Sequence, residues 1–463
     1  MNTVDTLVQA RWVIPVEPTG VVLEQHSIAI EDGAIRDVFP TEEDPPRYQA
    51  RAVVDLPTHA VIPGLNNAHT HAAMGLFRGL ADDLPMMEWL QKHIWPAEGH
   101  WVGAKFVRDG ATLGIAEMLR GGTTCFNDMY FFPDEVAGVA EDAGIRACVG
   151  LIVVDFPNAW AQSADECLAK GLKLHDDLRG SNLVTTAFAP HAPYTVSDAP
   201  LERVGTLADE LDIPIHMHVH ETAGEVAQAE AKSGLRPLAR LEDLGLLTSR
   251  LLAVHMTQLQ DKEIETLATN GVHIIHCPES NLKLASGFCP DQALRQAGVN
   301  LALGTDGAAS NNDLDMLGEM RTAALLAKGV SGAATSLPAP VALRMATLDG
   351  AKALRLDDRI GSLQRGKYAD FAAIDLSSVS SQPVYDPISQ IVYTATRDQV
   401  TDVWVAGKRV LRDRHRRTGR EGDERPATAG EDVGKGHSPL ILGAGYYRDL
   451  ISTRATRPRP YRK

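Results

Sequence analysis

Between residues 61 and 355 an apolar, strand-like run recurs eight times, each followed by a helix-like stretch. The runs are AVIPGLNNAHTH, GGTTCFND, IRACVGLIVV, LVTTAFAPH, IPIHMHVHE, LLAVHM, VHIIHCP and NLALGTD. Helical stretches between them include APLERVGTLADELD, DKEIETLATNG and LDMLGEMRTAALLAKG. A strand that is apolar nearly throughout needs cover on both faces, the condition met by a parallel sheet flanked with helices. Eight such units over about 295 residues predict an α/β fold, a (β/α)8 barrel of the TIM type. A doubly wound sheet is the competing arrangement, but no glycine-rich phosphate turn follows the first run.

The flanks read differently. TLVQARWVIP, SIAIEDGAIRDVFP and RAVVDLPTHAVIPG alternate apolar positions and are broken by Asp-Gly and Pro, which predicts hairpins. The same texture returns in GSLQRGKYADFAAIDL and VTDVWVAGKRVL. Residues 1–60 and 356–411 are therefore expected to join in one small β-sandwich, with the 61–355 barrel inserted between them. From Arg412 to residue 463 the chain carries 13 Lys and Arg against 7 Asp and Glu, with little apolar period. That composition predicts a disordered tail.

Bulk properties remove several classes of function. A net charge of -15 opposes nucleic-acid binding, which needs clustered Lys and Arg. No run approaches the roughly 18 apolar residues of a membrane helix, and MNTVDTLVQARWVIP lacks the pattern of a secretory leader. Cys125, Cys148, Cys167, Cys277 and Cys289 are odd in number and without CxxC spacing, so they read as buried thiols of a cytoplasmic protein.

Ligand-type residues gather where barrel enzymes keep their sites, at the C-terminal ends of the predicted strands. The first strand ends in His69-Thr70-His71, and residues i and i+2 of a strand point to the same side, toward one metal. The fifth carries His216, His218 and His220 followed by Glu221, and the eighth ends in Gly304-Thr305-Asp306. Each alone has an ordinary structural reading, but together they predict a metal centre with imidazole and carboxylate ligands, suited to one Zn²⁺ or Fe²⁺. No Lys stands near the end of the fourth strand to bridge a second ion. A single ion with an open position lowers the pKa of water to about 7. Glu221, three residues beyond His218, can shuttle a proton, and His255 at the end of the sixth strand can hydrogen-bond that water. Cys277-Pro278 has no second Cys in place, which excludes the zinc site of cytidine deaminases.

With these residues in view the chain resembles the amidohydrolase superfamily, and within it the 5′-methylthioadenosine/S-adenosylhomocysteine deaminases. The resemblance spans about residues 5–411 and rests on PGLNNAHTHAAMGLFRGLADDLPMMEWL, IWPAE, GGTTCFND, APHAPYT, IHMHVHET, CPESNLKLASG and GTDGAASNN. It implies metal ligation by His69, His71, His218 and Asp306, with Glu221 carrying a proton from water to ring N1 and His255 and Asp306 aiding activation of the water. It further implies that Glu98 binds the ribose hydroxyls, that His191 contacts purine or ribose, and that Ser310 reaches N7. The product is the inosine-type nucleoside and ammonia; the partner is a small nucleoside, with no nucleic acid or membrane, and a homo-oligomer is expected.

Two departures carry information. Some relatives that take S-adenosylhomocysteine carry arginines after the third strand, whereas Leu151 to Leu178 holds only Lys170 and Lys173. A carboxylate buried without a charged partner is costly, which predicts preference for the uncharged methylthio side chain. The Arg-rich tail stands where relatives continue with a helix. A related enzyme acting on guanine, a pterin or an s-triazine is the nearest alternative, and Glu98 opposes it because a free base offers no ribose. A catalytically dead scaffold is opposed by the presence of all five metal and acid residues.

Overall fold

A computed structural model describes residues 2–42 and 47–416. The tail expected to be disordered falls, from residue 417 onward, outside the described residues.

Four strands open the chain: β1 (Asn2–Val13), β2 (Leu23–Glu31), β3 (Ala34–Pro40) and β4 (Tyr48–Pro63). Eight more follow in the middle: β5 (Leu65–Thr70), β6 (Thr123–Asp128), β7 (Arg146–Val153), β8 (Val184–Pro190), β9 (Ile215–Val219), β10 (Leu251–His255), β11 (His273–His276) and β12 (Asn300–Leu303). The last four are β13 (Phe371–Asp375), β14 (Val400–Val405), β15 (Lys408–Arg412) and β16 (His415–Arg416).

Strands β5 to β12 pair in parallel in chain order, as the recurring runs predict. A parallel bridge between Thr70 and Asp306 brings the last strand back to the first. The Asp306 N–H donates to the His69 carbonyl at 3.0 Å, and the Thr305 N–H to Asn67 Oδ1 at 2.9 Å. Gly304 permits this closure, because a Cβ there would lie 2.7 Å from the His69 nitrogen. The β5, β6 and β7 residues are buried throughout, the apolar ones packing in the core and the polar ones, such as Asn67, Asn127 and Asp128, held by hydrogen bonds inside the barrel. One core cluster joins Ala68, Cys125, Cys148, Leu252, Ile275 and Cys277 with Leu354 and Ile360.

The other eight strands, from both chain ends, form one mixed sheet in the order β16-β15-β14-β13-β4-β1-β2-β3. The sheet curls over itself: Ala34 of β3 bridges to Tyr368, and Ile35 packs in one cluster with Phe371 and Trp404. Separate from the parallel sheet, the hairpin-rich ends of the chain thus meet in one mixed sheet. It continues to Arg416, past the last predicted strand residue, with β15 pairing to β16. The long β4 passes directly into β5 through Gly64, so the two sheets share one covalent hinge. Arg146 at the start of β7 ties them again, with Nε and Nη2 on the Asp370 carboxylate at 2.5 and 3.2 Å.

Candidate active site

Four side chains converge where the barrel closes. His69 and His71 come from the end of β5, His218 from β9 and Asp306 from the turn after β12, and their ligand-type atoms all lie within 4.8 Å of one another. His69 Nε2 and His71 Nε2 stand 3.2 and 3.1 Å from Asp306 Oδ1, and His69 Nε2 stands 3.1 Å from His218 Nε2. All are buried except His71, which is half-buried.

The surroundings decide which nitrogen of each ring faces the centre. His71 Nδ1 donates to the Met129 carbonyl at 2.5 Å and His218 Nδ1 to the His191 carbonyl at 2.8 Å. A carbonyl only accepts, so both rings carry their proton on Nδ1 when neutral and turn a bare Nε2 lone pair inward. His69 Nδ1 lies 2.8 Å from His216 Nε2, and with Nδ1 as the donor of that pair His69 too turns a bare Nε2 inward. Burial, reinforced by the neighbouring imidazoles, holds His218 well below the ordinary imidazole range and keeps it neutral. Two facing lone pairs at 3.1 Å repel unless a cation sits among them, and with the Asp306 carboxylate they make a donor set that fits one divalent metal ion. His216 and His220 stay outside it: His216 supports His69, and His220 Nε2 accepts from the Leu238 N–H at 3.2 Å.

The turns that present these groups are strained. His255 and Asp306 have φ of 75° and 62°, a left-handed backbone that non-glycine residues adopt at some cost. Hydrogen bonds hold them there. His255 Nδ1 meets Asn281 Oδ1 at 2.9 Å, which fixes the ring, and the Ser280 and Ser310 hydroxyls each donate to Asp306 Oδ2 at 2.7 Å. Asp128, buried at the end of β6, accepts from the Ala72 N–H at 2.7 Å and from Thr70 Oγ1 at 3.0 Å, holding the chain on both sides of His71.

One cavity opens over the centre. Its lining includes His71, Glu98, His191, His218, Glu221, His255, Asp306 and Ser310. Of the residues expected to act as ligands or to touch substrate, all lie on it except His69, which is fully buried. Glu221 lies 3.8 Å from His255 Nε2 through Oε2 and 3.5 Å from Ser286 Oγ through Oε1. Burial raises its pKa above the usual carboxylate value, with His255 pulling the other way. His191 is neutral, its pKa pushed down to about 3 by burial and the nearby rings. Glu98 stands on the helix Trp95–Trp101, and its Oε1 accepts from the Tyr130 hydroxyl at 2.8 Å. The apolar walls come from Met86, Trp89, Ile94, Trp95, Phe156 and Leu284. Neither Lys170 nor Lys173 reaches the cavity: Lys170 binds the Trp160 carbonyl and Glu166, and Lys173 binds Asp177.

Sequence reasoning passed over Tyr130, Ser280, Asn281 and Asp128. Ser280 and Asn281 lie inside CPESNLKLASG and Tyr130 two residues beyond GGTTCFND, so the signal was position beside a strand end rather than ligand chemistry.

The amidohydrolase family model matches residues 60–410. A 5-methylthioadenosine/S-adenosylhomocysteine deaminase of Saccharophagus degradans is 51% identical over 414 residues, covering 89% of this chain and 93% of that protein. Among solved structures, an adenosine deaminase from Xanthomonas campestris with bound zinc shares 54% identity at a TM-score of 0.92, over 98% of this chain and 99% of that one. An atrazine chlorohydrolase from Arthrobacter aurescens complexed with zinc has 25% identity and a TM-score of 0.83, over 89% and 96%. The chain belongs to the amidohydrolase family, among its 5-methylthioadenosine/S-adenosylhomocysteine deaminases, and is a hydrolase of C–N bonds.

Proposed function

We propose that this enzyme removes the 6-amino group of adenine nucleosides by hydrolysis, with 5′-methylthioadenosine as its preferred substrate, S-adenosylhomocysteine slower and adenosine also accepted. The observation that carries the reading is the presence of the His69, His71, His218 and Asp306 quartet, Glu221 and Glu98 around a single cavity. The quartet would hold one Zn²⁺, in keeping with the zinc in the two similar structures. When bound, such an ion supplies a nucleophilic oxygen from water at neutral pH.

The chain's own groups do the rest. Glu221, buried and with a raised pKa, takes a proton from the attacking water and delivers it to ring N1. With N1 protonated the water oxygen adds to C6, and the water's second proton passes to the amino nitrogen, so that the C6–N bond breaks to release ammonia and leave a C6 carbonyl. His255, its ring fixed by Asn281, and the Asp306 carboxylate accept from the water and orient it. Glu98 accepts from the ribose hydroxyls, and His191 meets purine or ribose through its neutral ring. Ser310 is placed for N7, although its hydroxyl donates to Asp306, so its first task is to orient that carboxylate.

The apolar wall suits a methylthio group. A neighbouring cavity of about 920 Å³ shares Met86, Trp95, Phe156, Tyr194 and Thr195 with the first and contains Arg240. Arg240 is already engaged by Asp198 and by the Pro193 and Val196 carbonyls, but Lys232 lines the same cavity. The preference for the uncharged side chain therefore rests on the apolar wall of the first cavity and on the lack of arginine after the third barrel strand. The five free, buried cysteines support a reducing, cytoplasmic setting.

Ammonia release from zinc-loaded protein tests the reading, with 5′-methylthioadenosine, S-adenosylhomocysteine, adenosine and guanine in parallel. Fastest release is expected from methylthioadenosine and none from guanine. Release from guanine alone would reject a nucleoside substrate while keeping the family.

A further inference from the structure

Tyr130 follows the end of β6 by two residues and is 5% exposed in the cavity wall. Its hydroxyl reaches Glu98 Oε1 at 2.8 Å, across from a different part of the chain. Glu98 belongs to the excursion between β5 and β6, on a helix none of whose residues is fully buried. The helix is anchored loosely, but the carboxylate itself is enclosed in the cavity, where the Tyr130 hydroxyl directs it. A glutamate with three free torsions loses rotamer entropy each time it is ordered by a ligand, and a donor that already holds one oxygen removes that cost beforehand. The phenol is a dependable donor, because burial and then the adjacent Glu98 push its pKa well above the ordinary tyrosine value.

We propose that Tyr130 is a positioning residue for nucleoside recognition: its hydroxyl fixes the Glu98 carboxylate so that the remaining acceptor capacity meets the vicinal hydroxyls of a ribose. The inference rests on the reading of Glu98 as the ribose-binding group. Tyr130 contributes equally before and at the transition state, since the ribose does not react. Its loss belongs in KM rather than kcat.

The test uses zinc-loaded, full-length wild type and Tyr130→Phe, each assayed with 5′-methylthioadenosine and its 2′,3′-dideoxy analogue. For the diol substrate KM should rise about tenfold, the effect of removing a hydrogen bond to a charged group, with kcat within about twofold. For the dideoxy analogue KM should be the same in both proteins. In a Glu98→Ala background, Tyr130→Phe should add nothing further. An unchanged KM for the diol substrate overturns the inference, as does an equal rise for both substrates or a fall confined to kcat. Should Tyr130→Phe not fold, Tyr130→Met removes the same hydroxyl and is measured in the same way. Wild type inactive on every nucleoside would reject the ribose reading and this inference together. Activity in wild type with no effect of the substitution rejects the inference alone.

Discussion

At the cavity floor Glu221 has two neighbours with different consequences. His255 favours its charged form and burial favours its neutral form, with burial the larger effect. A carboxyl balanced in this way can hold a proton briefly and pass it on, which a fully solvated glutamate does poorly at neutral pH. Glu221→Gln keeps the size and the hydrogen-bonding reach but cannot carry the proton. It should retain zinc, measured by metal analysis, while kcat falls about 10²–10⁴-fold; near-wild-type turnover would remove Glu221 from the mechanism. Glu98 supplies a second prediction. Burial raises its pKa to about 6, against the pull of the Tyr130 hydrogen bond and of His71. The charged form is the better acceptor for ribose hydroxyls, and it is fully present above that pKa. As pH falls through about 6 the charge is lost, so KM for 5′-methylthioadenosine should rise while KM for its 2′,3′-dideoxy analogue stays level. A level KM for both between pH 5 and 8 would exclude recognition by the Glu98 charge. The HxH pair, Glu221 and the Asp306 strand end were legible because each sits at a fixed step along one strand. Tyr130 and Asn281 were not, because their partners lie 32 and 26 residues away in sequence and meet them only across the fold.

The eight parallel strands show how an element serves the site. Each strand was legible as an apolar run bounded by turns, and β5, β9 and β12 were also legible as the ligand-bearing ones. Register and closure were not. They depend on Asn67, whose side chain accepts from the Thr305 N–H at 2.9 Å and donates to Thr305 Oγ1 at 2.7 Å. This pairing locks β5 to the turn that carries Asp306, with both residues fully buried. Asn67→Ala leaves a buried N–H without its acceptor, a cost of about 2 kcal/mol in unfolding free energy. It should also weaken zinc binding by about 10–100-fold, since the turn beside a ligand is freed. Urea unfolding and a competitive chelator titration measure the two effects, and a change in neither would mean that the bridge between Thr70 and Asp306 closes the barrel unaided.

For the whole molecule the decisive contact lies at the join between the two sheets. Arg146 and Asp370 are 5% and 3% exposed, and Arg146 also lies 4.3 Å from the Tyr368 ring centre. Removing Asp370 strands a buried guanidinium and also frees the Ala406 N–H, which the carboxylate accepts at 2.7 Å. Asp370→Ala should therefore destabilise the fold by about 3–5 kcal/mol in urea unfolding, and Arg146→Met with Asp370→Leu together by much less. Equal losses in the single and double variants would show that packing, not charge, holds the join. The sequence by itself determined the parallel barrel, the composite sheet from both chain ends and the residue types of the metal quartet. Hydrophobic period and strand-end position are local properties that survive without knowledge of the fold. The tertiary structure alone decided the support behind each group: which nitrogen each ring presents, that His216 backs His69 while His220 turns away, and what holds Glu98 in place. Those depend on acceptors brought together from distant segments, such as the His191 carbonyl behind His218 and the Tyr130 hydroxyl beside Glu98, and no period along the chain encodes such meetings.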